Sequence, residues 1–124
     1  MPRPVSHLFL NKSREKLTTL EETLKELLKT LKEVCRIHKI EDLSTLKYET
    51  IALAHTQIRK TTSQGIKSYR RVQLKAYLHK EGKQKTKTLA SWKEEETPAE
   101  IYRLVNLYRA CKNLSRACDY LYGV

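Results

Sequence analysis

Lysine, arginine and tyrosine residues are concentrated between Arg59 and Lys93. This segment contains 11 Lys or Arg residues and one acidic residue, Glu81, so it carries a net charge of +10 (11 minus 1) out of +11 for the whole chain. Clustered cations favour a polyanionic ligand, because each one that neutralises a phosphate releases a condensed counterion. The interleaved tyrosines add aromatic faces on which nucleic-acid bases can stack. The sequence therefore indicates a local nucleic-acid-binding element.

The order of side chains in this segment predicts a β-hairpin over about 66–91. Apolar and polar residues alternate from 71 to 79, which is the period-two pattern of a strand with one buried face. A second strand follows Gly82. We expect a three-residue loop, 80–82, with Gly82 in the left-handed conformation, so that His79 pairs with Lys83.

This register would gather cationic, aromatic and polar side chains beside one face of the hairpin. Cations about 6.5–7 Å apart along a strand can follow backbone phosphates, tyrosine and histidine can stack on bases, and glutamine can read base edges. The predicted nucleic-acid-binding residues are Tyr69, Arg70, Arg71, Gln73, Lys75, Tyr77, His79, Lys83, Lys85 and Lys87. The alternative is that a lysine-rich hairpin only protects an exposed sheet edge from aggregation.

Leucine spacing predicts a long amphipathic helix before the hairpin, starting at about Ser13. Apolar residues recur at alternating intervals of three and four along Leu17–Val34, which is the pattern of a helix with one buried face. We expect this face to pack within the chain, because three heptads are few for a free-standing coiled coil. A protein partner or a homodimer bound through Leu17–Val34 remains the alternative.

A second helix is expected to follow, with Asp42 or Ser44 as its N-cap. Its apolar residues would be Leu43, Leu46, Ile51, Ala54 and Ile58. The run 61–65 contains poor helix formers and closes with Gly65, so it predicts the end of this helix and a hinge.

The last helix is predicted over about 98–121, with Thr97 as N-cap and Glu100 completing a capping box. Trp92 is expected to be a core or edge anchor, because large aromatic residues next to a strand end usually cover the end of a sheet. The predicted fold class is α+β and mostly helical: two N-terminal helices, a basic β-hairpin and a C-terminal helix around one core. Residues 1–12 are predicted to form an extended lead-in and residues 13–124 a single domain.

Catalytic and metal chemistry find little support in the sequence. Gly82 stands in no phosphate-binding motif, and no nucleophile with its base or carboxylate pair in an apolar setting can be identified. Cys35, Cys111 and Cys118 form no C-x-x-C pair and are expected to be buried. A zinc site that includes Cys35 and His38 would have only one close pair of ligands. We therefore predict no catalytic residue, no metal and no cofactor.

The sequence also bears on location. No stretch approaches the roughly 20 apolar residues of a membrane span, so we expect no membrane association. The first ten residues do not resemble a signal peptide. An intracellular protein, in the cytoplasm, nucleoid or nucleus, is the expectation.

The order of basic strand, Gly-Lys turn, lysine-threonine strand and helix, over about 69–108, resembles small DNA-binding modules of integrases and other mobile-element proteins. The resemblance assigns no family. The predicted function is non-catalytic nucleic-acid binding, with DNA and RNA both open. The alternative is a small helical interaction protein, a regulator, inhibitor or accessory subunit of a nucleoprotein complex, that docks through its leucine-rich helices.

Overall fold

The computed structural model describes residues 7–123. Its helices are α1 (His7–Ile37) and α2 (Ala99–Tyr122), and its strands are β1 (Thr50–Thr62), β2 (Gly65–Lys80) and β3 (Lys83–Lys93). The strands form one antiparallel sheet in the order β1-β2-β3. The predicted fold class is therefore wrong, because one helix and not two precedes the sheet, and the sheet has three strands and not two.

Helix α1 forms where the leucine pattern predicts it and ends at Ile37. Lys39 adopts a left-handed conformation (φ 55°), and the Ile40 amide donates to the Cys35 carbonyl at 2.8 Å, which closes the C-terminus. The helix begins at His7, within the stretch 1–12 that we expected to be extended. Residues 1–6, which include both prolines of that stretch, lie outside the described part of the chain.

The predicted second helix is strand β1, preceded by a short 3-10 turn, Leu43–Thr45, that Asp42 caps. Six of the 13 residues of β1 are threonine or isoleucine. Branching at Cβ restricts these side chains in a helix and favours strands, where they pack on the pleated surface. The spacing of Leu43, Ile51 and Ile58 therefore misled the prediction, because composition decides this segment.

The predicted hinge at 61–65 is a tight turn between β1 and β2. Thr62 pairs with Gly65, which leaves Ser63 and Gln64 as a two-residue loop. Gly65 has φ 114°, a conformation that glycine adopts without strain. The same glycine that was expected to end a helix thus joins two strands.

The core lies where both helices meet one face of the sheet. His38, just after α1, bonds Glu100 in the first turn of α2 at 2.8 Å, and Tyr122 at the end of α2 bonds Glu21 at 2.5 Å, so the helices are antiparallel. The fully buried side chains include Leu31, Cys35, Leu43, Ile51, Val72, Leu74, Ile101, Leu104, Tyr108 and Cys111. The Tyr108 hydroxyl donates to the Tyr48 carbonyl at 2.5 Å, which ties α2 to the entry of β1.

The start of α2 lies within one residue of its prediction, but the predicted capping box does not form. The Thr97 hydroxyl donates to the Lys93 carbonyl at 2.9 Å, and no side chain caps the helix. The Glu100 carboxylate is directed to His38 instead. A tertiary hydrogen bond between His38 and Glu100 therefore takes the place of the local cap.

Candidate nucleic-acid interface

The turn between β2 and β3 decides which side chains share a face. Lys80 pairs with Lys83, so the loop has two residues, Glu81 and Gly82, with φ of 54° and 74°. Positive φ at both positions is the signature of a type I′ turn, whose twist matches that of the strands. The predicted three-residue loop is therefore wrong.

The observed register moves the β3 lysines to the side of the sheet that faces the helices. Lys85 lies opposite Leu78 and Lys87 opposite Ala76, and directly opposite residues project from the same face of a sheet. The Lys87 ammonium lies 3.6 Å from the Glu41 carboxylate, close to the core. The arrangement that we predicted for Lys83, Lys85 and Lys87 is therefore not present.

A bulge further along β3 changes which residues face the helices: odd-numbered residues do so before it and even-numbered residues after it. Leu74 pairs with Ala90 and Lys75 with Thr88, which leaves Leu89 without a partner in the ladder. Beyond the bulge, Ala90 and Trp92 face the helices and pack against the core. Trp92 therefore anchors the end of β3 at the core, as predicted.

We call the side of the sheet away from the helices the outer face. None of the strand residues on it is acidic, and both described helices pack on the opposite side of the sheet. Its residues, from the pairing register, are Thr50, Ala52, Ala54, Thr56, Ile58, Lys60, Thr62, Lys67, Tyr69, Arg71, Gln73, Lys75, Tyr77, His79, Gln84, Thr86, Thr88, Ser91 and Lys93. An acidic side chain lies at the margin of this face, where the Glu49 carboxylate is 3.4 Å from the His79 ring.

Strand β2 supplies the predicted residues that the structure brings together. The six on the outer face are Tyr69, Arg71, Gln73, Lys75, Tyr77 and His79. The other four, which lie on the helix side, are Arg70, Lys83, Lys85 and Lys87. The ten predicted residues are thus divided between two surfaces.

The centre of the outer face is held in place by its neighbours. The Arg71 Nε donates to the Ser91 hydroxyl at 2.9 Å, which fixes the guanidinium across β2 and β3. Arg71, Lys75 and both tyrosines are half-buried, so their stems pack on the sheet while their polar ends reach solvent. Tyr77 is flanked by two small side chains, Thr50 and Thr86.

Three cross-strand pairs on the sheet bring like charges together: Lys60 with Lys67, Arg71 with Lys93, and Lys80 with Lys83. Like charges directly opposite each other destabilise a sheet. A bound anion between them would remove this repulsion. The pairs are therefore unfavourable for the stability of the free protein; two of them lie on the outer face, and Lys80 with Lys83 lies on the helix side.

Sequence reasoning missed part of this basic surface. We call residues 59–68 the arm; all ten are exposed, and they include Arg59, Lys60 and Lys67. The cations of the arm were visible in the charge count, but the false helix at β1 concealed their position on a hairpin. Arg109 and Arg116 of α2 were also missed. They line a cavity of about 440 Å³ between α2 and the sheet, together with His79 and the acidic Glu49.

All three cysteines, Cys35, Cys111 and Cys118, are unpaired and buried. Burial raises the pKa of the Cys35 and Cys111 thiols, which keeps them protonated and poorly nucleophilic. Residues 7–123 contain no group of three or more His, Cys, Asp or Glu residues placed to hold a metal ion. In the same part of the chain, neither helix combines the length and apolar character needed to cross a membrane.

Comparisons of the chain with protein-family models, with curated proteins and with solved structures find no match.

Proposed function

We propose that the protein binds nucleic acid, without catalysis, through the outer face of its sheet and the adjoining arm. One observation carries the proposal: the outer face combines five cations and two tyrosines with no acidic strand residue, and neither described helix covers it. The cations are Lys60, Lys67, Arg71, Lys75 and Lys93. Phosphates would be held by these side chains, and bases or sugars would contact Tyr69 and Tyr77.

Edge protection does not account for this surface. Lysines that prevent aggregation are needed on edge strands, where backbone groups lack partners. Arg71 and Lys75 lie on β2, which pairs with a strand on each side and has no free edge. Their position therefore supports binding rather than protection.

The dimensions of the face suit a nucleic-acid backbone. Outward side chains along one strand are about 6.6 Å apart, close to twice the axial spacing of about 3.4 Å between phosphates of one DNA strand. Arg71 and Lys75 are four residues apart on β2, with Gln73 between them. Gln73 can form hydrogen bonds with a base edge while its neighbours contact phosphates.

The direct test is a binding titration of the full chain with single- and double-stranded DNA and RNA at 50 and 200 mM salt. We expect log affinity to fall steeply with log salt for at least one of these ligands, because counterions are released at every phosphate contact. An affinity that does not depend on salt, or no binding to any of the four, contradicts the proposal.

A second candidate function is docking of a protein partner on α1. The helix begins 14 residues before Glu21, which bonds the last residue of α2, so its N-terminal part extends beyond α2. Leu17 and Leu20 in this part are only half-buried, whereas Leu31 is fully buried. Light scattering tests the simplest form of this function, because a homodimer that Leu17→Lys converts to a monomer would place the leucines in an interface.

A further inference from the structure

A large apolar side chain projects from the tip of the arm. Ile66 is 73% exposed, more than Ile37 (54%) on α1. It follows Gly65 directly and pairs with Thr61 across the hairpin. Single exposed apolar residues are common on protein surfaces. Exposure alone therefore does not indicate a function for Ile66, and the inference depends on its position at the tip of the arm.

The fold gains little from Ile66. Its cross-strand partner is a threonine, and the neighbours on the same face, Arg59 and Ser68, are polar. Residues 59–68 are all exposed, so no core lies beneath the side chain. The apolar surface of Ile66 is therefore available to a ligand.

The surroundings of Ile66 are suited to a phosphate backbone. Arg59, Lys60 and Lys67 lie within the arm, and residues 50–80 contain seven Lys or Arg residues and no Asp or Glu. Each strand contributes four residues to the arm, which at about 3.3 Å per residue gives a projection of about 13 Å. A basic two-stranded projection with one apolar residue at its tip resembles, in its chemistry, the devices with which proteins enter a DNA groove and separate base pairs.

We propose that the arm enters the minor groove of double-stranded DNA and that Ile66 inserts between two adjacent base pairs, which bends the duplex. This inference rests on the proposed function and adds a ligand class and a mode of binding. The cations of the arm hold phosphates on both sides of the groove, while the isoleucine covers the unstacked base faces. Insertion of such wedges bends DNA by about 20–90°. The wide, shallow minor groove of double-stranded RNA does not enclose a wedge in this way.

The test measures binding and bending separately on a short DNA duplex that carries a fluorophore at each end. Energy transfer between the ends reports bending, and anisotropy of one fluorophore reports binding. We expect the wild-type protein to increase energy transfer on binding. Ile66→Thr, which keeps Cβ branching and strand propensity, should still bind but lose the increase, and Ile66→Met should retain it, because methionine is also a wedge residue.

Ile37→Thr is the matched control, because it removes an exposed isoleucine outside the arm, and it should bend DNA as the wild type does. Binding of the wild type without a change in energy transfer overturns the wedge and leaves the proposed function standing. Equal bending by Ile66→Thr, or binding to single strands or RNA alone, also overturns it. Absence of binding to every nucleic acid overturns both proposals.

Discussion

The pairing register allows a comparison in which the same charge is removed from either face of the sheet. The double variant Arg71→Gln with Lys75→Gln removes two cations from the outer face. The double variant Lys83→Gln with Lys85→Gln removes two from the helix side. Both variants have the same net charge, so any difference between them reports the face and not the total charge.

The size of the difference follows from counterion release. If the five outer-face cations each neutralise one phosphate of duplex DNA, log affinity falls with log salt at a slope of about −4.5, which is about a 500-fold loss between 50 and 200 mM salt. The outer-face variant retains three contacts, so its slope should be about −2.7 and its loss about 40-fold. The helix-side variant should keep the slope of the wild type.

Fluorescence anisotropy titrations at four salt concentrations measure these slopes, and thermal melting of each variant verifies that it is folded. Equal slopes for the two double variants would mean that the ligand responds to overall charge, and the assignment of the outer face would be refuted. A smaller slope for the helix-side variant alone would place the site on the opposite surface.

Three further predictions concern stacking and stability. Tyr77→Leu keeps apolar bulk but removes the aromatic face. The binding free energy for single strands, measured by titration, should therefore weaken by about 1–3 kcal/mol. The control Tyr102→Leu changes an exposed tyrosine of α2 and should leave the affinity unchanged. Tyr108→Phe leaves the Tyr48 carbonyl without its donor and should lower the free energy of unfolding in urea by about 1–3 kcal/mol; a loss no larger than that of Tyr102→Phe would contradict the role of this bond. Burial raises the pKa of Tyr108 to about 12 from 10.0, so its neutral form stabilises the fold fully below pH 10, and about 2–3 kcal/mol is lost as the pH rises through 12. Urea unfolding between pH 9 and 12 should therefore show a shallower decline for Tyr108→Phe than for the wild type, and parallel declines would contradict this assignment.

The parts of the fold that follow from a single strong pattern could be predicted from the sequence. The leucine repeat predicted α1, the alternation from 71 to 79 predicted β2, and α2 begins within one residue of its expected start. Strand β1 could not be recognised from periodicity, because Ile51, Ala54 and Ile58 have helical spacing although the sheet buries Ile51. Its threonines were the opposing signal, and tertiary pairing with β2 decides between the two.

The sequence predicted the part of the candidate site on β2, but not the part on β3, because the pairing register of β3 could not be determined from it. The residues of β2 were assigned correctly to two faces, because the buried Val72, Leu74 and Ala76 make the choice unambiguous. The first part of β3 offers no such choice: lysines alternate there with threonine and glutamine, and all residues from 83 to 88 are exposed. Neither face is apolar, so hydrophobic burial cannot select one register over a one-residue slip.

Turn chemistry and the bulge settle the register of β3 together. The type I′ turn at Glu81 and Gly82 matches strand twist, but it would direct Ala90 and Trp92 away from the core if the pairing continued without interruption. The extra residue, Leu89, restores them to the helix side and brings Lys93 to the outer face beside Arg71. The bulge thus allows Ala90 and Trp92 to pack against the core and places the Lys93 cation on the proposed interface. Deletion of Leu89 would remove the bulge and place Ala90 directly after Thr88, so Ala90 would still pair with Leu74 and Lys93 with Arg71. The bulge is therefore required because the chain has one residue more between the turn and Trp92 than this register uses.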